Sequence, residues 1–231
     1  MPQPATRYLL IRLPVLSARH TRRLSGLALL LLLSNGFTHW WTQWRSVEGV
    51  PPAPTVSLYL LDQAAPYLGD AMAFEQKVRV MARALAVAPE WLMAVMYAES
   101  GFDPAVMNRQ GSGAVGLIQF MPGTAGELQV STASLREMAP LHQLDYVHAY
   151  FEQVRQRYGP YQDLTDLYLG VLYPKARQQD FCYTLYARPS RAYRQNAGLD
   201  ENRDGRVTVT DIDRRLRRLF PRAYIAQPQG K

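Results

Sequence analysis

An apolar helix that must stop abruptly after a carboxylate constrains this chain more than any other feature. Pro89 suits a first helical turn, where its missing N–H is not needed, and Glu90 puts negative charge at the positive end of the helix dipole. Leu92, Val95, Met96 and Glu99 then fall at i, i+3, i+4 and i+7, so the glutamate shares the apolar face. Gly101 is a natural C′ residue, which leaves Glu99 in the last turn. Apolar neighbours and the negative end of the helix both favour the protonated carboxyl. A free glutamate is only about 0.2 % protonated at pH 7, whereas a pKa near 6 raises this to roughly 10 %, which suits a general acid. Read alone, Glu99 fits a surface glutamate on a helix stripe better than a catalytic acid. The residues after it reverse that reading.

Gly111, Gly113 and Gly116 permit backbone conformations and close approaches closed to other residues, and Gln119 supplies both a donor and an acceptor. Met121-Pro122-Gly123-Thr124 reads as a turn into another helix, with Thr124 as its expected N-cap. The ordered set Glu99, Ser100, Phe102, Pro104, Gly113, Ala114, Gly116, Leu117, Gln119, Met121, Pro122, Thr124 and Ala125 resembles the soluble lytic transglycosylase (SLT) domain family of the lysozyme-like superfamily. The resemblance covers roughly residues 70 to 175 and extends, through Ile118-Gln119-Phe120 and Gln143-Leu144-Asp145-Tyr146-Val147, to prophage-like members.

That resemblance implies a lysozyme-like fold acting on peptidoglycan glycan strands, with Glu99 catalytic and Ser100, Gly113, Gly116 and Gln119 lining the substrate. It implies a one-acid scheme for the MurNAc-β-1,4-GlcNAc bond, leaving 1,6-anhydro-MurNAc ends and needing no cofactor for catalysis. Most glycoside cleavage uses two carboxylates. Here Asp103, beside a proline, reads as a turn cap, and Glu127 as solvated. The chain also departs from the family pattern. Asn108 stands where a serine is usual, the segment before Gly113 is two residues longer, and Tyr168-Leu169-Gly170-Val171-Leu172-Tyr173-Pro174 replaces an Ala-Tyr-Asn-x-Gly motif. Tyr168 and Tyr173 are the two candidates for the family tyrosine. Hydrolysis by the same glutamate, and a catalytically idle muropeptide-binding scaffold, stay open.

A second motif spans residues 200–211. Asp200, Asn202 and Asp204 supply oxygens at positions 1, 3 and 5 of an EF-hand-type loop, with Gly205 at 6, the Arg206 carbonyl at 7 and Asp211 at 12. Hard cations prefer such a set, so a structural Ca²⁺ is expected, with aspartate at position 12 reaching less far than glutamate. Ile212, Leu216 and Leu219 predict an exiting helix with one apolar face, while Asn196-Ala197-Gly198 breaks any clear entering helix. The loop resembles the single hand of dockerin-type tails.

The ends of the chain set the expected compartment. The net charge of +7 comes mostly from arginine. Arg12, Arg19, Arg22 and Arg23 precede the apolar run 24–33, which reads equally as a cleaved signal peptide or as a signal anchor continuing to Trp40, Trp41 and Trp44. Either places the remainder in the cell envelope, periplasmic or otherwise extracytoplasmic, secreted or anchored in the inner membrane. Cys182, the only cysteine, reads as a small buried residue. The arginine cluster 214–218 reads as a solvated helix face before it reads as an anion site, and no motif supports nucleic-acid binding.

Phe74, Val78, Met81 and Leu85 mark one amphipathic helix, and Leu144, Val147, Phe151 and Val154 another. No strand series is evident beyond a short hairpin near the glycines. The expected monomer is mostly α: a signal or anchor over 1–45, a Pro-rich linker over 46–57, a lysozyme-like domain over 58–195, the calcium loop and helix over 196–220, and a tail over 221–231.

Overall fold

Helix caps written into the sequence set the frame of the computed structural model, which describes residues 57–108 and 111–225. The basic and apolar N-terminal segment, the Pro-rich linker and the last residues of the tail lie outside the described residues. Asp70 accepts a hydrogen bond from the Ala73 N–H and starts α1 (Ala71–Leu85), which stops at Ala86 in a left-handed conformation. Pro89 opens α2 (Pro89–Ser100), and Gly101, at φ 61°, closes it as the sequence predicts. The two helices meet at 112°. Contrary to the single stripe expected of α2, every residue from Trp91 to Met96 is buried. The helix is packed on all sides, and its C-terminal end is the part that emerges.

Pro122 occupies the first turn of α3 (Pro122–Glu127), so Met121, not Thr124, is the N-cap residue; Thr124 lies inside the helix. After α4 (Thr132–Glu137), the long α5 (Pro140–Tyr158) buries Leu144, Val147, Phe151 and Val154 against α1, confirming both amphipathic patterns. Helix α6 (Leu164–Leu172), capped by Asp163, runs buried from Leu164 to Gly170 beside α2.

Two pieces of secondary structure were not expected. Strand β1 (Thr184–Ala187) pairs antiparallel with β2 (Arg206–Thr208), with an irregularity between Thr184 and Tyr186. Each strand is too short for an alternation to be visible in the sequence. Near the glycines the chain makes only isolated bridges, Met107 with Val115 and Val115 with Phe120. An entering helix does precede the acidic loop: α7 (Arg191–Asn196) starts on the Ser190 side chain and ends where the Asn-Ala-Gly break was read.

The exiting helix α8 (Val209–Leu219) is present, followed by a short α9 (Arg222–Ile225). Its apolar face is Val209, Ile212 and Leu216, continued by Phe220; Leu219 is 41 % exposed, so the predicted stripe is corrected by one residue at its end. Cys182 is exposed, also against expectation, because it lies in the turn before β1. The described residues form one unit whose apolar core runs from Leu58 to Phe220. Thr165 of α6 hydrogen-bonds Asp213 of α8 at 3.1 Å, and the rings of Tyr97 and Phe220 meet edge to face. The acidic loop and its helix therefore pack as part of the helical body. Among the described residues no single helix is long and apolar enough to cross a membrane.

Candidate active site

The last turn of α2 and the glycine turn are fastened to each other through Ser100. Its Oγ lies 3.0 Å from the carbonyls of both Met96 and Leu117 and accepts from the Phe102 N–H. One hydroxyl proton serves those two carbonyls in turn, so the side chain ties the helix end to the turn. Within the turn, Val115 and Phe120 exchange backbone bonds, and Gly116 N–H donates to the Val106 carbonyl. The Gln119 amide donates to the carbonyls of Val106 and Gly116, so its N–H groups brace the loop.

Behind the turn lies a residue whose role sequence reasoning missed. Gln143 is fully buried; it accepts from the Leu117 N–H at 3.0 Å and donates to the carbonyls of Pro104 and Leu135 at 2.7 and 2.6 Å. A Cβ on Gly116, where φ is +77°, would stand 2.6 Å from Gln143 Oε1. The glycine is required there by both backbone conformation and space. The missed signal was a glutamine four residues before Val147, on the apolar stripe of α5.

Glu99 sits where these elements meet. Its side chain is half-buried, and desolvation raises its carboxyl from 4.5 to about 7, against the opposing hydrogen bond from Tyr168 and the positive charge of Arg215. Tyr168 is buried on α6, and its phenol is held well above the usual range by burial and by the neighbouring Glu99. Of the two candidate tyrosines, Tyr168 is the one hydrogen-bonded to Glu99. Tyr173 instead packs edge to face on Tyr186, with ring centroids 5.7 Å apart.

Tyr150, also missed, donates to the Gly170 carbonyl, and burial pushes its phenol to about 12, with Tyr158, Glu127 and Glu99 adding to the effect. It also lines a cleft of about 730 Å³ together with Thr124, Glu127, Gln153, Arg157 and Tyr158. Glu99 does not line that cleft itself, but its charge acts on Tyr150, which does. Asp103 caps a turn by accepting from the Ala105 N–H at 2.8 Å, as read from sequence, and Glu127 is exposed.

The family model described as Transglycosylase SLT domain matches residues 77–169. Over that span the chain is similar to transglycosylase SLT domains. Among curated proteins none matches the chain. The matched span begins within α1 and ends within α6, so it holds Glu99, the glycine turn, Gln143, Tyr150 and Tyr168. Tyr173, Tyr186 and Arg215 come from beyond the span. Of these, Arg215 acts on the Glu99 carboxyl through its charge.

In the acidic loop, Asp200 accepts from the N–H groups of Asp204 and Gly205 and from the Tyr193 hydroxyl. Asn202 and Asp204 bond each other, and Asp204 also accepts from the Arg206 N–H at 2.8 Å. Asp211 forms a capping box with Thr208 at the start of α8. No three His, Cys, Asp or Glu side chains among the described residues gather into a metal-ligand cluster.

Proposed function

We propose that this protein is a peptidoglycan lytic transglycosylase that cleaves the MurNAc-β-1,4-GlcNAc bond with Glu99 as its single acid and base. The carrying observation is a half-buried carboxyl raised to about 7 within an SLT domain and hydrogen-bonded by Tyr168. A group titrating there is well populated in both protonation states near neutral pH, as a residue that gives and then takes a proton requires.

Protonated Glu99 donates its proton to the bridging oxygen as the bond from that oxygen to muramic C1 breaks. The muramic 6-hydroxyl oxygen then bonds to C1, and its proton passes to the Glu99 carboxylate. The acid is regenerated, no water is consumed, and the product ends in a 1,6-anhydro sugar. The Tyr168 hydroxyl orients the carboxyl and stabilises its ionised form between the two transfers. In this reading Gly113 and Gly116 let the turn approach the sugar closely, Gln119, Tyr168 and Tyr173 flank it, and Ser100 holds the turn against α2. The cleft lined by Tyr150, Tyr158 and Gln153 offers the aromatic and amide surface that a glycan strand uses. The site of action is the cell envelope, where that strand lies.

One observation favours a second reading. Tyr150 senses both Glu99 and Glu127, and Glu127 lines the cleft, where a second carboxylate activating water would give hydrolysis. Digestion of purified sacculi in ¹⁸O-labelled water separates the two. Transglycosylation leaves the released muropeptides unlabelled and anhydro-ended; hydrolysis puts one ¹⁸O in each new reducing end.

A further inference from the structure

A carboxylate oxygen with no partner lies at the end of the acidic loop. Asp211 is 1 % exposed. One of its oxygens, Oδ2, accepts from both the N–H and the hydroxyl of Thr208, at 2.9 and 2.6 Å. The other, Oδ1, is buried and takes no hydrogen bond. Leaving a buried charged oxygen unsatisfied is costly, and in native proteins such a group usually has an ion or water to explain it. We propose that the loop from Asp200 to Asp211 is a Ca²⁺ site, with Asp211 Oδ1 as the ligand that closes it.

The rest of the loop fits that ion. Asp200, Asn202 and Asp204 present oxygens at alternate positions, followed by the Arg206 carbonyl, and the donor set contains neither sulfur nor imidazole, which suits a hard cation. Gly205, at φ +88°, makes the sharp turn between them. Calcium tolerates irregular shells of six to eight oxygens, whereas magnesium demands a tighter octahedron. The carboxylates are not gathered beforehand, because Asp204 is turned to Asn202 at 3.0 Å; that exposed bond must open for the ion to bind.

The neighbourhood explains how one hand can stand alone. Its strand β2 pairs with β1 of the same chain, so the edge that would otherwise require a second hand is covered. The ion would link the turn after α7 to α8, whose Ile212, Leu216 and flanking Phe220 belong to the same core as α2. The effect expected of Ca²⁺ is therefore stabilisation of the whole domain. This inference does not rest on the glycan chemistry.

The test is calorimetric titration of the full-length chain with CaCl₂, alongside thermal unfolding in EDTA and in calcium. The expected result is one ion with Kd on the order of 0.1–1 mM, and a Tm rise of about 4 °C at ten times Kd. Asp211→Asn keeps the shape but removes the charge. It should lose the calcium response while matching or exceeding the wild-type Tm in EDTA. Asp204→Ala leaves the α8 cap intact and should also lose the response, which keeps the test decisive if Asp211→Asn folds poorly. No heat and no Tm change up to about 10 mM CaCl₂, or a response retained in both variants, would overturn the assignment.

Discussion

The Tyr168 hydroxyl hydrogen-bonds the Glu99 carboxyl, joining the emerging end of α2 to the buried face of α6. The bond favours the ionised carboxylate and so works against the desolvation that raises its pKa. Tyr168→Phe should therefore move the Glu99 pKa above about 7 and shift the alkaline limb of the pH–rate profile upward. Loss of orientation should lower kcat about 10-fold, the scale of a hydrogen bond to a charged group. Arg215→Gln should move the limb in the same direction by less, since that attraction acts without a hydrogen bond. Profiles of kcat/KM against pH check both; a limb that moves down, or stays, contradicts the assignment.

Stability should carry the same signature. The folded pKa of Glu99 is about 7 against 4.5 for the free group, so between those values the folded state holds a proton that the unfolded chain releases. The stability contribution is fully present below the unfolded value and is lost as pH rises through about 7. The full difference corresponds to at most ~3 kcal/mol, and solvent at the partly exposed carboxyl reduces it. Glu99→Gln should thus raise Tm relative to the wild type at pH 8 and have little effect at pH 4. Thermal melts across that range measure it.

Gly116 and Gln143 should behave as one unit. Gln143→Ala strands the Leu117 N–H and the carbonyls of Pro104 and Leu135, a loss of about 3 kcal/mol. Gly116→Ala forces a Cβ into Gln143 Oε1 at positive φ, costing about 2 kcal/mol. The double variant should lose clearly less than the sum, because the clash partner is gone. Urea unfolding of the four proteins decides it, and strict additivity would refute the coupling.

Behind the site, Arg177 forms two hydrogen bonds to Asp166, at 3.0 and 2.8 Å, donates to the carbonyls of Val154, Gly159 and Pro160, and lies 4.1 Å from the centroid of the Tyr161 ring. Both side chains are buried. Arg177→Met should cost about 3–5 kcal/mol by abandoning the Asp166 charge. Adding Asp166→Leu should restore much of that loss. A milder single variant, measured by denaturant unfolding, would mean that water relieves the stranded charge.

What the sequence disclosed followed from local rules. Pro89 and Gly101 bounded α2, and Phe74 to Leu85 and Leu144 to Val154 announced their buried faces through periodicity. Asp103 read correctly as a turn cap. What stayed hidden depended on contacts between distant segments. Gln143 reaches 26 residues back to Leu117, and Arg177 and Asp166 find each other only once α6 is packed. Strands β1 and β2 stabilise each other across a helix and a loop, so neither alone carries a strand pattern. Tyr168 and Tyr173 were indistinguishable along the chain; the packing of α6 beside α2 brings Tyr168 to Glu99.

The most direct test of Glu99 as acid and base compares the wild type with Glu99→Gln on purified sacculi, reading released muropeptides by mass spectrometry. Binding to the sacculi and the melting temperature are measured on the same samples. Anhydro-ended fragments are expected from the wild type and none from Glu99→Gln, with binding and folding retained. Undiminished release by the folded Glu99→Gln variant would contradict that role and move the chemistry to another residue.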